Sequence, residues 1–379
     1  MIKMKRILIL TDHYPSPTIL YSNGFTHTRA KAYQKHAEVL IVCFKHHQPP
    51  YIYEGIEVES YSTENQLRDR IASFAPDLLC VHFFSGVLLD ILLNASMPVY
   101  VWLHGVEAIG WYRRWFNYSI PFFVKAGYKN ALENTKQLSK LRKLYKHSNE
   151  KGNIHFVIVS NWLKETTETD TFIKLKNFHI IPNPIDEELF EYREKTAEDR
   201  LQVLSLRPYV SNTYANDISV RTVLEFSKYP MFEHFHFSFF GMGYLFDRLT
   251  KPLKEFPNVT IEEKFFENHE IPSLHARFGL FLCPSRQDTH GVSRSEATSS
   301  GLVALTSNNS AIPEFVQDRK TGLFGKTPKD FANLLKEIYD NPDLFLKLSK
   351  QGALDVRRQC GKSVIIDEEL RILKILLDP

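Results

Sequence analysis

The stretch from Gly279 to Val316, GLFLCPSRQDTHGVSRSEATSSGLVALTSNNSAIPEFV, decides how this chain is read. An apolar run ends at Cys283, a polar loop leads to Gly291, and a helical segment continues to a stop at Gly301 before the next apolar run, Leu302 to Thr306. Strand, loop, helix and strand in that order make a parallel unit of an α/β sheet. Gly291 has no side chain at the helix entrance, so the N–H groups of Gly291, Val292 and Ser293 can approach an anion, with the helix dipole adding favourable potential. A diphosphate suits such a turn.

Within the same unit Glu296 can aim a carboxylate back toward the strand ends and accept from two ribose hydroxyls, and Asp288 in the loop can accept from sugar hydroxyls. Taken one at a time, Gly291 reads better as a plain turn and the two acids as solvated surface groups. Arg207 stands directly after the apolar run VLSL, where a guanidinium can hold diphosphate oxygens and offset charge on a departing nucleotide. The pair Gly241 and Gly243, in GMG after HFHFSFF, marks a tight turn after a strand.

Further outward, the runs Gln202 to Leu206, Phe235 to Phe240 and Asn258 to Ile261 precede this unit at similar intervals, each followed by a loop and a plausible helix. A matching set fills the amino-terminal half: Arg6 to Leu10, Ala37 to Cys43, Asp77 to His82, Val99 to His104 and His155 to Ser160. The alternation predicts an α/β protein of two Rossmann-like, doubly wound domains facing a cleft, with ligand at the carboxyl ends of the strands. IPNPIDEELFEYREK, with two prolines and a charged run, reads as the connection between them. The expected domains are residues 1–185 and 186–362, the first completed by a carboxy-terminal helix over 363–379 that packs back on it.

Composition agrees with a folded two-domain chain: 379 residues, 43% hydrophobic and 24% charged. A formal net charge of only +3 gives no global field for nucleic acid. Cys43, Cys80, Cys283 and Cys360 show no metal-ligand or redox spacing and read as reduced, buried thiols. The apolar run at the start is only Ile7 to Leu10, a first strand, and Leu78 to Leu103 is broken by His82, Asp90 and Pro98, so neither a leader nor a membrane span is expected. The expected location is cytoplasmic.

The quoted stretch resembles family 4 of the retaining glycosyltransferases, whose GT-B fold carries a Glu-x7-Glu element in this setting. Here the element is Asp288-x7-Glu296, with PSRQDTHG for the commoner PSxxEGFG and SEATSSGL for LEAMACGL, and AIPEFVQDRKTGLF matches closely. The resemblance covers nearly the whole chain and is most specific in its carboxy-terminal half. It implies that Glu296 binds the donor ribose, Gly291 and Val292 the diphosphate, and Asp288 the transferred sugar, with His290 in place of an aromatic. Gly241 and Gly243 fall beside the nucleotide, and His104 at the reaction centre, its ring contacting the donor sugar or holding the backbone there against it. The lysine that usually accompanies Arg207 is missing from RPYVSNTYANDI, which shifts charge stabilisation onto Arg207, Arg286 or Arg294. No Asp-x-Asp pair follows a strand in a way that would hold a divalent ion on a diphosphate, so metal-independent transfer with no cofactor is expected. The resemblance implies a retaining hexosyl transfer from a nucleoside-diphosphate sugar of UDP or GDP type to a glycan, lipid-linked or other hydroxyl acceptor, in surface polysaccharide or glycoconjugate synthesis. Alternatives are a nucleotide-sugar epimerase of the same fold and a non-catalytic partner subunit.

On the acceptor side, Gly24 and His27 lie at a helix opening after the first strand, and Trp111 and Arg113 begin a basic segment. Trp111 to Lys151 holds ten basic residues against Glu133 and Glu150, a local charge of +8, with Trp115, Phe116, Phe122 and Phe123 nearby. It reads either as a surface for anionic lipid, peripheral at the inner face of the plasma membrane, or as a solvated helix pair.

Overall fold

A computed structural model describes residues 4–16, 23–44, 48–118 and 127–375. It divides into two compact units, Met1–Pro184 with Lys362–Pro379, and Ile185–Gly361. The chain changes unit at Pro184, inside the proline-punctuated connection, and again at Gly361.

The first unit is built on one sheet of eight strands: β1 (Lys5–Thr11), β2 (Ala37–Phe44), β3 (Tyr51–Tyr53), β4 (Ile56–Tyr61), β5 (Leu78–His82), β6 (Val99–Leu103), β7 (Ile154–Ile158) and β8 (Phe178–Ile180). Their spatial order is β3-β4-β2-β1-β5-β6-β7-β8, and every pairing except β3 with β4 is parallel. Apolar residues serve both faces, as a sheet covered on two sides requires. Leu8 and Leu10 enter one core with Val81 and Leu141. Ile7 and Ile9 enter another with Ile365, Ile366 and Leu370. The carboxy-terminal helix Lys362–Ile372 therefore closes the sheet of the first unit. Sequence reading leaves out the antiparallel edge. Glu54 and Gly55 both have positive φ, 45° and 82°, and turn β3 back onto β4 as a two-residue hairpin.

In the second unit the strands are β9 (Gln202–Leu206), β10 (His236–Gly241), β11 (Val259–Glu263), β12 (Leu280–Cys283), β13 (Val303–Ser307) and β14 (Leu323–Gly325). All pairings are parallel, in the order β11-β10-β9-β12-β13-β14. Renumbered within the unit, this is the 3-2-1-4-5-6 order of a doubly wound sheet. The chain leaves β9 toward one edge and returns to β12 on the other side, so the order reverses between those two strands. Whatever follows Leu206 and Cys283 borders the crevice where such sheets take ligands.

Candidate active site

Arg207 follows β9, and its side chain is only 5% exposed. Its Nη1 donates to Ser293 Oγ at 2.8 Å, and its guanidinium lies 5.0 Å from the Tyr214 ring centroid. The GMG turn after β10 secures the loop that carries it. A Cβ on Gly241, at φ 153°, would fall 1.9 Å from the Arg207 carbonyl oxygen, and one on Gly243, at φ 139°, would fall 2.5 Å from the Tyr209 carbonyl carbon. The N–H of Tyr209 donates to the Met242 carbonyl at 2.8 Å. Close approach of two backbones is thus the local reason for both glycines.

The loop between β12 and the helix Val292–Ser299 is fastened from below. Arg286 makes a two-pronged pair with Asp217 at 2.8 and 2.7 Å, and its N–H donates to the Thr213 carbonyl at 2.9 Å. Its charge is answered by Asp217. Asp288 Oδ1 accepts from the His290 N–H at 3.1 Å. The His290 ring is buried, with Nε2 3.3 Å from Cys360 Sγ and its centroid 4.5 Å from that of Phe315. This side chain therefore packs inside the unit.

Gly291 caps the helix in the left-handed conformation, φ 82° and ψ 55°. Arg294, 3% exposed, lies against it: a Cβ on Gly291 would come within 2.8 Å of Nε and Nη2 of Arg294. Nη2 donates to the His290 carbonyl, and the guanidinium sits 5.8 Å from the Phe315 centroid. Burial pushes the neighbouring Cys283 thiol up to about 11, while Arg207 and Arg294 both pull it down.

Glu296 lies one helical turn beyond Ser293 and shares its face of the helix. The side chain is buried and accepts no hydrogen bond from any described residue, and burial pushes its carboxyl up to about 7. A buried carboxylate with empty acceptor positions is costly unless something donates to it.

The first unit has a comparable switch point between β1 and β5. Here His104 is held on several sides. Glu107 accepts from the N–H groups of His104 and Gly105 at 2.5 and 3.1 Å, and its own carboxyl is raised by burial to about 7. The His104 ring meets His82 Nδ1 through Nε2 at 3.1 Å and stacks on Phe83, with centroids 4.4 Å apart. Burial, the second imidazole and Arg29 hold His82 well below its ordinary value, so it is neutral at physiological pH. Nε2 of the His104 ring faces His82, and Nδ1 is buried from solvent. His82 escapes sequence reading because nothing local distinguishes it from any strand-end histidine.

The acceptor-side candidates do not converge. Gly24 opens the helix Gly24–Tyr33, but His27 turns to the hairpin, with Nδ1 2.7 Å from Tyr14 Oη and Nε2 3.2 Å from Glu54. Arg113 Nε donates to both oxygens of Asp170 at 2.8 and 3.0 Å, a carboxylate that also accepts from the Gly110 N–H and the Tyr112 hydroxyl. The N–H of Trp111 donates to Asn134. Arg113 thus shapes its own loop. Phe122 and Phe123 lie outside the described residues. All four cysteines are free and buried, and no described helix is long and apolar enough to cross a membrane.

Residues 225–355 match the family Glycosyl transferases group 1. Among solved structures, the sucrose-phosphate synthase of Thermosynechococcus elongatus is similar over 98% of each chain, at 13% identity and a TM-score of 0.74. HepE of Anabaena, crystallised with UDP and glucose, is similar over 98% of this chain and all of its own, at 13% identity and a TM-score of 0.69. TarM of S. aureus, as a mutant in complex with Fondaparinux, alpha-GlcNAc-glycerol and UDP, gives 11% identity and a TM-score of 0.67 over 98% of this chain and 100% of its own. No curated protein matches the sequence significantly. The fold is GT-B, and the matched region contains the GMG turn, the 284–291 loop and Glu296.

Proposed function

We propose that this chain is a glycosyltransferase that moves a hexose-type sugar, with retention of configuration, from a UDP- or GDP-type donor to a hydroxyl of a glycan or lipid-linked acceptor. The observation that carries the reading is the Glu296 carboxylate, buried and without a donor, one turn from the Ser293 hydroxyl that meets Arg207. Two vicinal ribose hydroxyls would fill the acceptor positions of Glu296 and favour its ionised form. The diphosphate would then lie at the N–H groups of Gly291, Val292 and Ser293 beside Arg207, which meets the charge developing on the leaving nucleotide without a metal. Asp288 takes the transferred sugar. His104 and Gly105, braced within the first unit by Glu107 and His82, would keep the catalytic role that the resemblance implies. Catalysis comes from positioning and charge stabilisation. The UDP complexes of HepE and TarM and the family match support this reading.

The test is a panel of nucleotide sugars scored by thermal stabilisation, followed by transfer assays with the best donor. Arg207→Ala and Glu296→Ala should each weaken donor affinity or turnover by about tenfold or more while the fold persists. Unchanged affinity and rate in both variants would remove the site assignment. Conversion of the donor without acceptor, seen by mass spectrometry, would replace transfer with epimerisation.

A lipid-linked acceptor, in surface polysaccharide or glycoconjugate synthesis with the protein peripheral at the inner membrane face, has its own support. Trp115 is 70% exposed and Tyr128 64%, and Val106 and Leu132 are exposed as well. Lys129, Lys136, Lys143 and Lys146 are exposed on the adjoining helix Tyr128–Lys151. Apolar rings beside lysines suit an anionic headgroup layer.

A further inference from the structure

Three arginines are buried among the described residues: Arg29, Arg207 and Arg294. Arg29 is neutralised by Glu369 at 2.8 Å. Arg207 and Arg294 form no ion pair with any described residue, and the Nε of each has no hydrogen-bond partner. Burying a guanidinium without an opposite charge is strongly unfavourable, and placing two at one turn adds their mutual repulsion. Asp288 is the one carboxylate that acts on Arg294, beside the thiols of Cys283 and Cys360, and its Oδ1 accepts from the His290 N–H.

The two cations reach the same backbone by different routes. Arg207 arrives from β9 and contacts Ser293 Oγ. Arg294 comes from within the helix, folds back to the His290 carbonyl, and rests against Gly291 where any side chain would collide with its Nε and Nη2. Gly291 therefore has a second requirement besides its positive φ: it leaves room for a guanidinium beneath the amides that open the helix.

We infer that Arg294 is the second cation of the anion site, a positioning residue that raises the potential at the Gly291 to Ser293 amides and selects a ligand with two adjacent charged phosphoryl groups over a single phosphate. The inference deepens the proposed function, resting on its assignment of a diphosphate to this turn. It makes the unliganded site electrostatically uncompensated, and a diphosphate compensates it.

The experiment follows the thermal midpoint of the full chain against inorganic phosphate, inorganic pyrophosphate, UDP and GDP, for the wild type, Arg294→Met, Arg294→Lys and Arg207→Met. The wild type should respond to pyrophosphate at concentrations roughly tenfold or more below those needed for phosphate. Arg294→Met should shift the pyrophosphate titration upward by roughly tenfold, and Arg294→Lys should restore most of it. A merely structural Arg294 would lower the midpoint of the unliganded variant and leave its pyrophosphate titration where the wild type has it, and that result overturns the inference. So does a wild type that responds equally to phosphate and pyrophosphate, a comparison that stands even if Arg294→Met does not fold. Pyrophosphate binding that depends on Arg294, with no gain from UDP or GDP, would uphold the second cation and remove the nucleotide reading.

Discussion

Glu296 is a carboxyl whose environment favours its neutral form until a ligand arrives. Burial alone raises it to about 7, with no cation or donor among the described residues to offset the desolvation. The ionised form offers acceptors to two ribose hydroxyls, whereas the protonated form gives up part of that capacity. Affinity for a nucleoside diphosphate should therefore fall as pH drops through about 7, approaching tenfold per unit below it. Phosphate ionisation of the ligand contributes to any such profile, so the comparison is with Glu296→Gln, where the excess dependence should vanish. Superimposable profiles for the two proteins would show that Glu296 does not titrate with binding. The places of Gly291 at the helix entrance and of Glu296 within the helix are legible in sequence because they follow from spacing within one strand, loop and helix unit. His290 is not, since its contact is Cys360, seventy positions away, and no local pattern reports that the ring turns inward.

Among the elements, the helix Tyr128–Lys151 shows how composition separates onto faces. Leu138, Leu141, Leu144 and Tyr145 are buried, while its exposed lysines and Tyr128 point away from the core. The local charge of +8 read from Trp111 to Lys151 is partly internal, because Arg113 answers Asp170. What is left is a basic face with exposed Trp115 and Tyr128 near one end. Each exposed lysine near an anionic surface contributes on the order of 1 kcal/mol. Co-sedimentation should thus occur with vesicles containing anionic lipid, weaken with salt, and drop by about tenfold on replacing Lys129 and Lys136 with glutamate. Equal recovery with neutral and anionic vesicles would assign this face to solvent. The basic run is plain in sequence; its division between core, ion pair and surface is set by neighbours such as Asp170 that lie far along the chain.

At the scale of the whole molecule, parallel sheets announce themselves through continuous apolar strands spaced by helix-length segments, and both sheets are readable on that ground. The three-residue strands β3, β8 and β14 are too short for a pattern to identify, whereas the carboxy-terminal helix, expected to pack back on the first unit, adds to its apolar contacts one long-range polar cluster. In it Glu369 accepts from Arg29 Nε at 2.8 Å, Tyr33 Oη at 2.6 Å and Trp102 Nε1 at 3.2 Å, all fully buried. Glu369→Ala leaves a buried guanidinium and two buried donors without their acceptor, a loss of about 3–5 kcal/mol. The residues proposed for the nucleotide and its diphosphate, Arg207, Gly241, Gly243, Gly291 to Ser293 and Glu296, lie instead in Ile185–Gly361. Hydrogen exchange read by mass spectrometry should therefore separate the two: Glu369→Ala should lower protection in β1, β2, β5 and β6, and UDP or GDP should raise it around Arg207, Gly241 to Gly243 and residues 285–296. The variant should keep its ligand-induced protection in the second unit. Its loss there, with the strands of that unit still protected in the absence of ligand, would show that the donor site depends on the first unit for more than chain connectivity.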